Sequence, residues 1–488
     1  MSLALRFNWI FAPAAGALGT LSFAPFEYWP FATLSLILWM WLTIQSPRFL
    51  TGFLFGLGLF GSGVSWISVS MMDHGGTSWP LALLMTSIFV AGLATFPGLA
   101  SLFFGSLRRR WQGPVGEIML LTASWVTTEV LRSWFLTGFP WLLIGYSALD
   151  SPFEGYLSWF GAFGVTALIA LTAGGIVAGL RSGRWQPALL SIFIPLFGIF
   201  LDSQFTPKTF TQGTKVGLWQ PVIDQSKKWK IEHQKEIIAT HMTQGLPSPD
   251  VQLIIWPETA LPMTESDVHK VLPDLDTHLT ASKQTLITGA LGKEAGRYTN
   301  RLITLGLGNG TYDKTRLVPF GEYVPLEALF RGLITFFDLP MSTIVRGSRR
   351  GLLTHNELEI APLICYEIAY TKLARSQSSE ANLILTVSND TWFGTSIGPS
   401  QHLQIARIRA RELGKPVIRA TNDGLTAFID ARGKITEQLP RFQRGLLIAN
   451  VFPANTVTPY SKAGEGPLII LLIIILALTR KNTATLHQ

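Results

Sequence analysis

A cysteine, a carboxylate and a lysine each stand where a strand is expected to end, and together they could perform nucleophilic chemistry. Cys365 closes the stretch Ala361-Pro362-Leu363-Ile364, and Glu258 follows Leu253-Ile254-Ile255-Trp256-Pro257. Lys314 lies in Tyr312-Asp313-Lys314-Thr315-Arg316-Leu317-Val318-Pro319-Phe320-Gly321-Glu322. In open α/β sheets, sites form beyond the carboxyl ends of strands. A free thiol is only a few per cent ionised near neutral pH, so a carboxylate that takes its proton makes it a nucleophile. A lysine supplies positive charge where an oxyanion develops, and so does the backbone N–H of Tyr366. Cys365 is the only cysteine among 488 residues. No intrachain disulfide can form, and the thiol serves either packing or chemistry. Taken singly, Cys365 reads as core packing, Glu258 as a cap for the next turn and Lys314 as a solvated loop charge. Their joint occurrence in three extended motifs favours nucleophilic chemistry.

The elements that must position these residues begin near Lys215. Strands are expected at Val216–Gln220, Val251–Trp256, Thr285–Ala290, Arg301–Leu307, Glu359–Ile364, Asn382–Ser388, Pro416–Thr421 and Leu446–Val451. Helices are expected at about 226–243, 265–282 and 399–413. The last puts Leu403, Ala406, Ala410 and Leu413 on one face and turns Arg407 and Arg411 away from it. Gly414 and Pro416 stop it. Strands alternating with helices imply a layered α/β domain over 203–465.

Before that domain the chain changes character. Hydrophobic residues make up 48% of the sequence and charged residues 14%, with 16 Trp and 31 Phe. That is the balance of a membrane protein with a soluble part. Apolar spans are expected at roughly 8–24, 30–47, 50–72, 80–106, 115–136, 158–180 and 185–201, within a membrane domain over 1–202. An eighth runs from Pro467 to Leu478, short enough to recruit its flanks, within a segment 466–488 that ends in a cytoplasmic tail. Arg6, Arg48, the Arg108–Arg110 run, Arg181 and Arg184 fall in alternate loops. Glu27, Asp73, Asp150 and Glu154 occupy the others. The positive-inside rule places both termini in the cytoplasm and 203–465 outside, which is the periplasm of a Gram-negative cell. Arg6 ahead of an apolar run resembles a signal peptide, but no small-residue cleavage site follows, so an uncleaved span is expected. Glu129 and Arg132 share one face of the fifth span. They can neutralise each other or meet a lipid head group beside Thr137-Gly138-Phe139-Pro140-Trp141.

Three motifs carry a resemblance to a known family. Trp256-Pro257-Glu258-Thr259, the Lys314–Glu322 stretch and Ile364-Cys365-Tyr366-Glu367 resemble the signatures of the nitrilase superfamily. Ser388-Asn389-Asp390-Thr391-Trp392-Phe393-Gly394 and Gly398-Pro399-Ser400-Gln401-His402 narrow the likeness to membrane-anchored acyltransferases of bacterial lipoproteins. The resemblance runs over nearly the whole chain. It implies an αββα sandwich on eight membrane helices, with Glu258, Lys314 and Cys365 as the catalytic set. Glu322, Tyr366, Glu367 and Trp229 would support the site. It further implies a phospholipid acyl donor, typically phosphatidylethanolamine, whose sn-1 chain passes through a Cys365 thioester. The acceptor would be the N-terminal diacylglyceryl cysteine of an apolipoprotein. No cofactor is implied, and the protein is expected to act as a monomer. One departure stands out: the family often has Gln-Gly-Asn where this chain reads Gln220-Pro221-Val222.

Further readings attach to single features. Glu322 is expected to hold Lys314 by charge pairing, the alternative being to orient a loop. The apolar segment Leu326–Met341, with Phe336 and Phe337, is expected to be a lipid-dipping arm, or else a buried helix. Trp229 is either a surface aromatic or an acyl contact. The net charge of +8 comes without a basic stripe interleaved with aromatics, so nucleic acid is not expected. Eight scattered His residues, without a His-Glu-x-x-His pair, argue against a metal site. The competing functions are an anchored amidase using water as acceptor, a transporter with an outer domain, and a lipoprotein-binding scaffold.

Overall fold

The computed structural model describes residues 3–111, 113–294, 296–319, 321–323, 344–349 and 351–477. The chain divides into two compact units. One comprises Met1–Ser68, Pro80–Thr206 and Thr458–Gln488; the other comprises Val69–Trp79 and Pro207–Val457.

The second unit is built on two six-stranded sheets. The first contains β1 (Thr214–Gln220), β2 (Leu253–Ile255), β3 (Thr285–Glu294), β4 (Arg297–Gly306), β5 (Thr311–Asp313) and, at its other edge, β12 (Gly445–Val451), in the order β12-β1-β2-β3-β4-β5. The second contains β6 (Leu353–His355), β7 (Leu358–Ile364), β8 (Leu383–Ser388), β9 (Val417–Thr421), β10 (Ala427–Ile429) and β11 (Ile435–Gln438), in the order β11-β10-β9-β8-β7-β6. Each sheet has a parallel centre, β1-β2-β3 and β7-β8-β9, flanked by antiparallel strands. Alternate side chains take opposite faces, as the two-residue period of a strand requires. Val216, Leu218, Leu253 and Ile255 meet Ile360, Leu385, Val387 and Ile418 in one buried cluster between the sheets. Trp219, Ile254 and Leu286 point the other way, into a cluster with Leu275 and Leu279 of the Pro273–Ala281 helix. The Thr371–Gln377 and Gly398–Leu413 helices pack on the second sheet. The result is four layers, helix on sheet on sheet on helix.

The central strands fall where the apolar runs predict them, and the differences have local causes. β5, β6 and β10 are three residues each, and all four residues of β11 are exposed, so they carry little apolar alternation. The helix expected at 265–282 is two helices, Glu265–Val271 and Pro273–Ala281, because Pro273 starts a new first turn. The stretch 226–243 also divides, into Gln225–Lys228 and Ile231–Gln244. The largest correction concerns Gly398–Leu413. Arg407 and Arg411 are buried rather than turned to solvent. The Arg407 Nε–H donates to the Gly433 carbonyl at 2.9 Å, and Arg409 pairs with Glu412 within the same buried helix. The segment Val69–Trp79, expected to belong to the membrane part, clusters instead with the α/β unit. His74 Nε2 lies 2.8 Å from the Thr391 carbonyl, and its ring meets Trp392 edge-on at 5.2 Å.

The first unit is helical. Among the described residues, three helices are long and apolar enough to cross a membrane: Trp79–Leu107, Glu154–Ser182 and Gln186–Gln204. The pair Phe49–Gly63 and Ile67–Asp73, bent by 48°, adds a fourth if it counts as one span. Pro30–Gln45 and Gly466–Ala477 are shorter apolar helices. Their outer faces carry exposed Ile88, Leu190, Phe193, Phe197, Phe200 and Ile470, a surface suited to hydrocarbon. Glu129 and Arg132 are buried and both hold the same loop. Glu129 accepts from the Ile144 N–H at 2.9 Å and from the Thr166 hydroxyl at 2.9 Å. Arg132 donates to the carbonyls of Phe139 at 2.7 Å and Trp141 at 2.6 Å.

Candidate active site

Glu258, Cys365 and Asn389 follow β2, β7 and β8, so all three lie beyond the carboxyl ends of parallel strands. Lys314 follows β5, which runs in the same direction as β3 because two antiparallel steps separate them. Asp313, at the end of β5, takes two hydrogen bonds from Arg301, at 2.6 and 2.8 Å, and this forked pair locks the strand next to Lys314. Cys365 opens a 3-10 turn, Cys365–Ala369, with φ of 54°, in the left-handed region that few residues with a side chain adopt.

The charges converge. Lys314 Nζ donates to Glu258 Oε1 at 3.1 Å and to Glu322 Oε1 at 2.8 Å, and all three side chains are buried. Glu258 is held from two further directions, by Asn300 Nδ2 on Oε1 at 2.7 Å and by the Asn389 N–H on Oε2 at 2.9 Å. Burial alone would raise the Glu258 carboxyl. The Lys314 charge and its hydrogen bond, with Lys228, hold it below the ordinary carboxylate range. Burial would likewise lower Lys314, but the charges of Glu258, Glu322 and Cys365 push it well above its ordinary value. The pair is therefore ionised near neutral pH. Burial and the Glu258 charge push the Cys365 thiol up to about 12, against the pull of Lys314. A neutral thiol thus stands beside a carboxylate able to receive its proton.

These residues lie in segments that comparison assigns. Residues 215–458 match the family model for carbon-nitrogen hydrolases, and residues 15–175 match that for the apolipoprotein N-acyltransferase N-terminal domain. An apolipoprotein N-acyltransferase of Pseudomonas syringae pv. tomato is 40% identical over 96% of this chain and 95% of its own. One from Pseudomonas aeruginosa is 41% identical over 96% of this chain and 94% of its own. The chain belongs to the apolipoprotein N-acyltransferase family. A solved amidase from Nesterenkonia sp. AN1 shares 15% identity over 55% of this chain and 99% of its own, with a TM-score of 0.36.

Within this member of the apolipoprotein N-acyltransferase family, the other expected site residues take distinct places. Glu367 is buried beneath the site and collects five donors. Its Oε1 accepts from the Thr315 N–H at 2.7 Å, the Thr315 hydroxyl at 2.9 Å and the Arg316 N–H at 3.0 Å. Its Oε2 accepts from Tyr312 at 3.0 Å and the Ile364 N–H at 2.8 Å. One carboxylate thus ties the lysine loop to the cysteine turn. Glu322 does both things weighed for it: one oxygen holds Lys314, and the other accepts the Val318 N–H at 2.8 Å. The Tyr366 ring packs edge-on against Tyr370 at 5.2 Å. Trp229 follows the short Gln225–Lys228 helix, and its buried indole N–H has no partner among the described residues. Phe336, Phe337 and the whole apolar segment Leu326–Met341 lie outside the described residues.

Sequence reasoning missed Asn300 and Lys228. Asn300 is polar in the interior of a buried strand, between Thr299 and Arg301, and that run was the available signal. Lys228 is buried and donates from Nζ to the Glu258 carbonyl at 3.1 Å. Burial lowers it to about 8 although Glu258 and Asp423 pull the other way.

Proposed function

We propose that Cys365 carries an acyl group from a phospholipid to the N-terminal cysteine of a lipoprotein. The observation that carries this reading is the buried contact of Lys314 with Glu258 beside the Cys365 thiol. In the first half-reaction Glu258 takes the thiol proton as Sγ attacks the sn-1 ester carbonyl of a phospholipid, typically phosphatidylethanolamine. The tetrahedral oxyanion sits between Lys314 Nζ and the Tyr366 N–H, where each donor is worth about 3–4 kcal/mol of barrier. Collapse breaks the ester C–O bond. The lysophospholipid alkoxide leaves with the proton from Glu258, and a thioester remains on Cys365.

In the second half-reaction the α-amino group of an S-diacylglyceryl cysteine attacks the thioester, and Glu258 takes its proton. A second oxyanion forms at the same donors. Its collapse breaks the C–S bond, an amide forms, and the proton returns to Cys365. The product is a triacylated lipoprotein. Trp229, Phe336 and Phe337 contact acyl chains, and Glu322 and Glu367 hold the catalytic lysine and its loop.

Both substrates are anchored in lipid, which gives a soluble α/β fold its reason to be joined to apolar helices. We place eight spans in the membrane, with both termini cytoplasmic and 203–465 in the periplasm, on the alternation of arginine-bearing loops. The protein acts as a monomer in the bacterial inner membrane.

Intact-mass measurement of the purified protein after incubation with phosphatidylethanolamine vesicles tests the central claim. A gain of one acyl group, removed by hydroxylamine and absent from Cys365→Ala, is expected. An unmodified Cys365 under these conditions would refute the thioester, and release of free fatty acid on adding apolipoprotein would favour an amidase-like enzyme.

A further inference from the structure

The oxyanion assignment makes a demand on one peptide group. A backbone N–H has no rotamers of its own; it points where its peptide plane points. In a trans peptide the carbonyl of one residue and the N–H of the next lie in one plane and face opposite ways. Holding the Cys365 carbonyl therefore aims the Tyr366 N–H.

That carbonyl is held. His402 Nε2 lies 3.1 Å from the Cys365 oxygen, a partner that can only accept, so Nε2 carries the proton. The other ring nitrogen, Nδ1, lies 3.1 Å from an Arg419 guanidinium nitrogen, which can only donate. The ring is thus neutral, with its single proton on Nε2. Asp390 fixes the arginine: its Oδ2 accepts from Arg419 at 2.7 Å, while its Oδ1 accepts from the Ser388 hydroxyl at 2.6 Å. Oδ1 also lies 3.3 Å from His402 Nδ1, a longer contact than that from Arg419. His402, Asp390 and Arg419 are all buried. Burial and the Arg419 charge hold the imidazole below its ordinary pKa, which agrees with the neutral ring.

The local backbone explains why such a grip is needed. Cys365 has φ of 54°. That conformation is unfavourable for a residue with a side chain, and relaxing it would rotate the adjoining peptide. Glu367 holds the strand side of the turn at the Ile364 N–H. His402 holds the carbonyl side.

We propose that His402 is a positioning residue that turns the Tyr366 N–H toward the reacting carbonyl by holding the Cys365 carbonyl, with the Asp390–Arg419 pair fixing its tautomer. The role rests on the thioester mechanism proposed above. It predicts a separation that general damage to the site would not produce. Attack on an ester passes through an oxyanion; alkylation of the same thiol by iodoacetamide displaces iodide and forms none.

The test uses the full-length protein in mixed micelles and compares His402→Phe and His402→Gln with the unaltered enzyme. Two rates are read by mass: acylation of Cys365 from phosphatidylethanolamine, and its alkylation by iodoacetamide. His402→Phe is expected to slow acylation by about 10²–10³-fold, the effect of losing one oxyanion donor, with alkylation little changed. His402→Gln, whose amide can still donate, should recover much of the loss. If His402→Phe does not fold, His402→Asn, too short to reach the carbonyl, replaces it with the same expected separation. Acylation at the unaltered rate, or an equal fall in both reactions, would overturn the proposal. Failure of the unaltered enzyme to acylate would instead refute the thioester mechanism, so the two failures are distinct.

Discussion

Among the buried clusters of opposite charge in the described residues, one in each unit invites comparison, because the two are used differently. In the helical unit, Glu129 and Arg132 are engaged mainly by main chain: the Ile144 N–H for one, the Phe139 and Trp141 carbonyls for the other. In the α/β unit, Glu258 and Lys314 are engaged largely by side chains, namely each other, Asn300 and Glu322. Main-chain partners cannot be displaced without moving the fold, so the first cluster is a clamp. Side-chain partners converging on a thiol can exchange charge and protons with a substrate. A buried ion pair is weak evidence for stability in itself. What its partners are decides whether it holds structure or does chemistry.

The sharpest way to break that distinction is Glu258→Gln. Acyl transfer should fall by about 10²–10⁴-fold, the usual effect of removing a general base. The thiol should respond in the opposite sense. Glu258 raises the Cys365 pKa and Lys314 lowers it, so removing the negative charge leaves the lowering influence in command. In the unaltered enzyme the thiolate forms only as pH approaches about 12, so alkylation should climb with pH without levelling near neutrality. In Glu258→Gln, alkylation at a given alkaline pH should be faster. A variant that loses both reactions would show that Glu258 is structural after all.

The counterpart in the helical unit is Arg132→Met. It takes the Arg132 donor from the Phe139 and Trp141 carbonyls and the neighbouring charge from Glu129. Each buried group left unsatisfied costs about 1–3 kcal/mol. A lower melting temperature in detergent is expected, with kcat of the folded fraction preserved. A stable variant with lost activity would place Arg132 at a substrate instead and reverse the comparison.

The same contrast explains what could be read from sequence. Apolar runs announced the central strands; Cys365 and Glu258 could be singled out because each follows such a run with a reactive group, and Lys314 because it sits in the extended motif Tyr312–Glu322. The polar run around Asn300 marks the residue, but the roles of Asn300 and Lys228 depend on contacts across 42 and 30 residues of chain. Arg407 and Arg411 misled for a related reason. Helical periodicity assumes that charge seeks water, whereas here a surrounding fold supplies carbonyls and carboxylates. The short Val69–Trp79 segment carried no local sign that it would join the α/β unit. Glu129 and Arg132 were visible as a pair, but not the loop they hold.

Glu322 is the intermediate case, and it should yield an intermediate result. One of its oxygens faces the Lys314 side chain and the other faces the Val318 N–H. Glu322→Gln keeps the shape, removes the charge and can satisfy only one of those donors through its single carbonyl oxygen. The lost hydrogen bond should cost about 1–2 kcal/mol of stability. The ammonium remains protonated, because Glu258 still raises its pKa. Its aim at the oxyanion loosens, and a loss of about 1.4 kcal/mol there corresponds to roughly tenfold in rate. Melting temperature and the acylation rate of Cys365, measured on one preparation, should therefore fall together and modestly. A variant that lost only stability would assign Glu322 to the clamps; one that lost activity as fully as Glu258→Gln would add it to the groups that perform the reaction.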